Sequence, residues 1–162
     1  MKLLDLLSVP EATLGRIADA LAPAVLLAAR VYVGWVFLKS GWLKLSDWSS
    51  TLALFEFEYQ VPLLPPALAA VAGTAGEIVF GALVIAGLLG RTAALGLFAV
   101  NVLAVVSYRQ VLLAEGFEAA LAQHVLWGAL LAGLFVTGPG RWSLDAFVRR
   151  QPVGAPAPAA AS

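Results

Sequence analysis

Apolar residues gather in four long stretches separated by short polar breaks, without the strict alternation of a half-buried strand. They run from about Ala24 to Lys44, Ala67 to Leu89, Thr92 to Leu113 and Ala119 to Thr137. Each is close to the roughly 20 residues that an α-helix needs to cross a hydrocarbon core about 30 Å thick. The pattern predicts an all-α fold, an integral membrane bundle of four transmembrane helices with short interfacial helices. Ahead of the first stretch, Ser8-Val9-Pro10-Glu11 has the form of a capping box with proline in the first turn, and Leu14, Ile17, Ala18 and Leu21 follow at helical spacing. Residues 1–22 are therefore expected to form an amphipathic interfacial segment, 23–147 the four-helix membrane domain, and 148–162 a disordered tail rich in Pro and Ala from Gln151. Leu3-Leu4-Asp5-Leu6-Leu7 is interrupted by an acid and lacks a small-residue cleavage pattern, so a cleaved signal peptide is not expected. The connection from Ser46 to Pro66 is half apolar and proline-ended, which reads as a short interfacial helix and a rigid return on the outer face.

Composition agrees with the bilayer as solvent. Hydrophobic residues make up 61% and charged residues 12%, against about 45–50% and 25% in soluble domains. Ten basic and ten acidic residues cancel, so no global field draws nucleic acid. The charges are nonetheless unevenly placed. Lys2, Arg16, Arg91, Arg141, Arg149 and Arg150 fall on the side of the termini, while Asp47, Glu56, Glu58, Glu115 and Glu118 fall on the other with Lys44 and Arg109. The positive-inside rule then puts both termini in the cytoplasm. There is no cysteine, so sulfur or redox chemistry must belong to a bound cofactor or partner. Met1 and His124 are the only residues of their types, and no metal site is expected.

The polar side chains inside the stretches carry the candidate chemistry, because an ionisable group at membrane depth costs several kcal/mol unless it finds a partner. Arg30, Gly34, Phe37, Gly41 and Lys44 form one stripe at steps of four and three. Glu77 is flanked one turn away by Gly73 and Gly81, Asn101 lies near mid-span, and His124 shares a face with Ala120, Gly128 and Ala132. Counting residues puts Arg30 about 5 Å from the centre of its stretch and Glu77 near the centre of its own, so these two are expected to pair. Arg30, Lys44, Glu77, Asn101 and His124 together are the candidate ligand pocket. The alternative is a structural ion pair with interhelical hydrogen bonds and no ligand. No catalytic residue is assigned.

Three pieces of sequence resemble the DoxX family of small four-helix bacterial membrane proteins. They are Arg30-x-x-x-Gly34-x-x-Phe37-x-x-x-Gly41-x-x-Lys44, Glu77 with Gly87-Leu-Leu-Gly90-Arg91, and Gly138-Pro-Gly-Arg-Trp-Ser-Leu-Asp145, in that order. The stretch from Leu54 to Pro66 and His124-Val-Leu-Trp127 look like the subgroup found beside genes for a multinuclear-iron peptide-modifying enzyme. The resemblance implies a multi-pass bacterial inner-membrane protein, and a link to redox, stress-response or metal-response systems.

Readings of different classes remain open. The first is an accessory membrane subunit that binds a quinone, the one candidate cofactor, with His124, Asn101 and Arg30 as donors and Glu77 as proton relay. On that reading the chain is not an enzyme alone but at most a subunit of a quinone-linked oxidoreductase. The alternative is a non-catalytic adaptor or scaffold that docks a partner protein through the acidic loop around Glu56 and Glu58 and the basic end around Arg149 and Arg150. A small transporter is the third. Membrane lipids and either a protein partner or a second copy of the chain are the expected partners.

Overall fold

A computed structural model describes the backbone of residues 3–150 and the side chains of residues 10–149. Among these residues the elements are seven α-helices: α1 (Leu3–Ser46), α2 (Trp48–Phe57), α3 (Pro66–Ala86), α4 (Gly90–Ser107), α5 (Arg109–Leu112), α6 (Glu118–Thr137) and α7 (Leu144–Arg150). The protein is an all-α membrane bundle. α1, α3, α4 and α6 are each long and apolar enough to cross a bilayer. They pack in chain order, α1 on α3, α3 on α4 and α4 on α6, and α6 closes against α1. Val33, Phe37, Val84, Ala93, Leu97, Leu131 and Leu134 fill the space between them. Large apolar residues such as Val25, Val79, Leu95 and Val125 face outward, as an apolar solvent allows.

Three element boundaries depart from the sequence pattern. The capping box at Ser8 predicts a helix start, but α1 runs without a break from Leu3, with Pro10 and Pro23 inside it. At about 1.5 Å per residue its 44 residues span roughly 66 Å, about twice the hydrocarbon core. The third span ends at Ser107 rather than Leu113, because Tyr108 leaves the helical region (φ −113°, ψ 19°) before Arg109 and Gln110. Val148, expected in the tail, belongs to α7, while the tail from Gln151 lies outside the described residues.

The turns explain how neighbouring helices meet. α3 stops at Gly87 (φ 67°), where the amides of Gly87 and Leu88 bond back to Val84 and Leu83. The Asp145 carboxylate then accepts the amides of Leu89 (3.0 Å) and Gly90 (2.8 Å), the first free donors of α4. This folds the Gly138–Asp145 segment back over the turn between α3 and α4. At the other end, Asp47 caps α2 by accepting Ser50 N (3.0 Å), and hydrogen bonds from Ser49 and Ser50 hold its carboxyl below the usual range.

Glycines set the α1–α3 distance. A Cβ at Gly34 would lie 2.8 Å from the Gly81 carbonyl oxygen, and one at Gly41 would lie 2.6 Å from Ile78 Cγ1 and 3.2 Å from the Thr74 carbonyl oxygen. These approaches are to backbone as well as side chain, so they cannot be relieved by a rotamer change. Gly34→Ala is expected to destabilise the bundle by about 1–3 kcal/mol, measured by thermal unfolding in detergent. Gly133→Ala, at a position where a Cβ meets nothing within 4 Å, is expected to leave the midpoint unchanged or raise it, since alanine is the better helix former.

Candidate functional site

The close α1–α3 crossing brings Lys44, in the last turn of α1, onto Glu77 at mid-length of α3. Lys44 Nζ lies 2.8 Å from both Oε1 and Oε2 of Glu77 and donates a third bond to Ser40 Oγ (2.9 Å). Ser40, one turn earlier, donates to Glu77 Oε1 (3.2 Å). The two charged side chains retain only 13% and 10% of their exposure. Each charge is therefore neutralised and hydrogen-bonded where water is scarce, the condition under which a buried pair is tolerated.

Beside this pair lies a cavity of about 130 Å³. Ala69, Ala72 and Gly73 of α3 and Val100, Leu103, Ala104 and Ser107 of α4 form its walls, and Phe55, Tyr59, Val61 and Leu64 its cover. The cover is tied down at several points. Gln60 N donates to Ser107 O (2.9 Å), Gln110 Nε2 to Glu58 O (2.6 Å) and Tyr108 OH to Glu58 Oε2 (3.1 Å). Thr51 Oγ1 of α2 donates to the Lys44 carbonyl (2.9 Å), joining the cover to the residue that makes the ion pair. The Tyr59 ring meets those of Phe55 and Tyr108 edge-on, with centroids 4.8 and 4.9 Å away. Burial, with the nearby Glu77, Tyr108 and Glu58 charges adding to it, pushes the Tyr59 phenol up to about 12.

The expected five-residue pocket divides into three separate places. Arg30 does not pair with Glu77. Gly34 lies against Gly81 and Ile85, and Gly41 against Glu77 and Ile78, so the register puts Arg30 beside the end of α3. Glu77 is level with a position about 11 residues further along α1, roughly 16 Å away. Counting each stretch from its own centre missed this, because the helices are offset along their axes. Arg30 Nη2 instead donates to the Trp142 carbonyl. Asn101 and His124 form a third place. Asn101 Nδ2 donates to the His124 carbonyl (3.0 Å), which turns Asn101 Oδ1 toward His124 Nδ1 (2.8 Å). The pair ties α4 to α6, and Val100 and Ala104, rather than Asn101, face the cavity. Sequence reasoning missed Ser40, Tyr59 and Ser107. Ser40, four residues before Lys44, was the one signalled by helical spacing.

The DoxX family model matches residues 25–110. The chain belongs to the DoxX family. No curated protein and no solved structure matches it. The matched residues of this DoxX protein contain α3, α4, the membrane half of α1 and the whole cavity with its cover.

Removing one partner of the ion pair leaves the other as an uncompensated charge. Lys44→Met and Glu77→Leu are each expected to cost about 3–5 kcal/mol, and the double variant to recover most of that loss. Denaturant titration of the four proteins of this cycle measures both. For Tyr59, a folded-state value raised from 10.0 to about 12 means that the unfolded chain loses its proton first as pH rises. Its contribution to stability is therefore complete below about pH 10 and is lost as pH rises toward 12. Tyr59→Phe is expected to lessen the fall in stability across that window, followed by unfolding at a series of alkaline pH values.

Proposed function

We propose that this DoxX protein is an accessory membrane subunit of a redox or stress-response system, and that the cavity beside Lys44 and Glu77 holds a quinone headgroup. The observation that carries this reading is the cavity itself: about 130 Å³, mostly apolar, with Lys44, Glu77 and Ser107 as its polar lining and two aromatic rings above. A cavity of about 150 Å³ holds one benzene ring, whereas drug-sized ligands need about 300 Å³ or more. A single six-membered ring with a tail lying along α3 and α4 suits this space.

A bound quinone supplies the electron-accepting chemistry that the chain's own side chains lack, with electrons delivered by a partner protein. Lys44 positions the ring by redirecting the proton it gives Ser40 toward a ring carbonyl. Glu77, already in a proton-sharing cluster with Lys44 and Ser40, passes protons between the ring and the cover. Phe55 and Tyr59 exclude water from above. Arg30, Asn101 and His124 take no part. The basic end, with Arg91, Arg141 and Arg149, lies on the cytoplasmic side of the bacterial inner membrane, and the acidic α2 end with Asp47, Glu56 and Glu58 lies outside.

The test is thermal unfolding of the purified full chain with short-tailed ubiquinone and menaquinone analogues. Near one hundred times Kd, binding is expected to stabilise the protein by about 2.7 kcal/mol. Ala104→Leu, which fills the cavity from a half-buried wall position, is expected to abolish that gain while leaving the ligand-free midpoint close to its original value. No stabilisation by either quinone, or an undiminished gain in Ala104→Leu, overturns the reading and leaves the adaptor.

A further inference from the structure

Arg30 is a buried charged side chain that the Lys44–Glu77 site does not use. It is 2% exposed, near the end of the bundle formed by the α3–α4 turn and α7. A guanidinium offers five N–H donors. In Arg30, Nη2 donates to the Trp142 carbonyl, while Nε and Nη1 are buried with no hydrogen-bond partner. The acid that acts on it by charge, Asp145, has each carboxylate oxygen bonded to an amide at the start of α4. Three N–H donors on one buried cation are left without an acceptor, an arrangement costly enough that native proteins supply the missing group from elsewhere.

Arg30 also lines a cleft of about 370 Å³, with Leu27 and Ile85 as apolar walls and Arg141, Trp142 and Phe147 at its rim. Arg141 is exposed, and Trp142 and Phe147 are 56% and 61% exposed. Paired arginine donors match the oxygens of a phosphate. The apolar walls and exposed aromatic rim are those of a membrane interface, where Trp is enriched and basic side chains meet lipid headgroups. Gly87 makes room for the Arg30 guanidinium itself, since a Cβ there would overlap it.

We propose that this cleft binds the phosphate of an anionic membrane phospholipid, with Arg30 and Arg141 on the phosphate and the acyl chains against Leu27 and Ile85. The lipid supplies the acceptors that Arg30 lacks and joins α1, the end of α3 and α7. This site stands apart from the quinone cavity, and neither depends on the other.

The experiment uses the full chain in detergent, titrated with short-chain phosphatidylglycerol, short-chain phosphatidylcholine or inorganic phosphate. Native mass spectrometry reads the bound species and thermal unfolding reads the gain in stability. Phosphatidylglycerol is expected to remain bound at one copy per chain and to raise the midpoint, with phosphatidylcholine and inorganic phosphate doing neither. Arg141→Gln, at an exposed position, is expected to weaken phosphatidylglycerol binding roughly fivefold without lowering the lipid-free midpoint. Arg30→Lys, which keeps the charge and loses the fork, is expected to weaken it further. Equal retention of both lipids, or unchanged phosphatidylglycerol binding in Arg141→Gln and Arg30→Lys, overturns the proposal. Stabilisation by inorganic phosphate equal to that by phosphatidylglycerol overturns the lipid as the source.

Discussion

The contact between α1 and α3 governs the rest of the molecule, because it must solve close packing and charge burial at the same time. In an apolar solvent helices gain little from hiding leucines, so association rests on van der Waals fit and on polar groups that have no other partner. Gly34, Gly41 and Gly81 bring the two backbones within reach of each other's carbonyl groups. That approach lets the long Lys44 side chain lie back along α1 and meet both oxygens of Glu77. Moving α3 by one turn along α1 would take Gly81 away from Gly34 and Glu77 away from Lys44. Packing and charge therefore select the same register.

From that register the cover follows. Lys44 lies in the last turn of α1, where its carbonyl accepts the Thr51 hydroxyl, and Asp47 starts α2 at once with a capped first turn. α2 is thereby laid across the end of α3, where Gly73 leaves room for the Phe55 ring. Tyr59 continues the aromatic layer to Tyr108, and Glu58 collects the Tyr108 hydroxyl through its carboxylate and the Gln110 amide through its carbonyl. The break after Ser107 is part of the same construction. An unbroken α4 would give the Ser107 carbonyl a partner four residues later, and Gln60 takes that place.

How much of this could be read from the residues depended on the range of the interaction. Span number and type were legible, since they rest on local hydropathy and length. The small-residue faces were legible too, and Gly34, Gly41 and Gly81 do lie at the crossing. The offset between α1 and α3 was not, because a helix carries no mark of its depth relative to a neighbour. Arg30 was accordingly matched with Glu77, while the side chain that reaches Glu77 was Lys44, itself among the expected pocket residues. The Ser8 capping box misled for a related reason. It describes what a helix start would use, but Pro10 is also accommodated within a continuing helix. Tyr59 and Ser107 had no local signal, since their importance arises only when the α2–α3 connection folds over α4.

The two ends of the bundle treat charge differently, and the difference is physical rather than accidental. At the α2 end the ammonium of Lys44 has three donors and three acceptor contacts, from Glu77 and Ser40. At the α7 end the guanidinium of Arg30 has five donors, and one carbonyl meets one of its nitrogens. Asp145 is near enough to act by charge, yet the bare amides of Leu89 and Gly90 hold its oxygens, because α4 begins with no side-chain cap of its own. Returning Asp145 to Arg30 would leave those two amides without their acceptor at the start of α4. The α3–α4 turn and the guanidinium thus compete for one carboxylate, the turn holds it, and Arg30 is left facing a cleft with donors to spare.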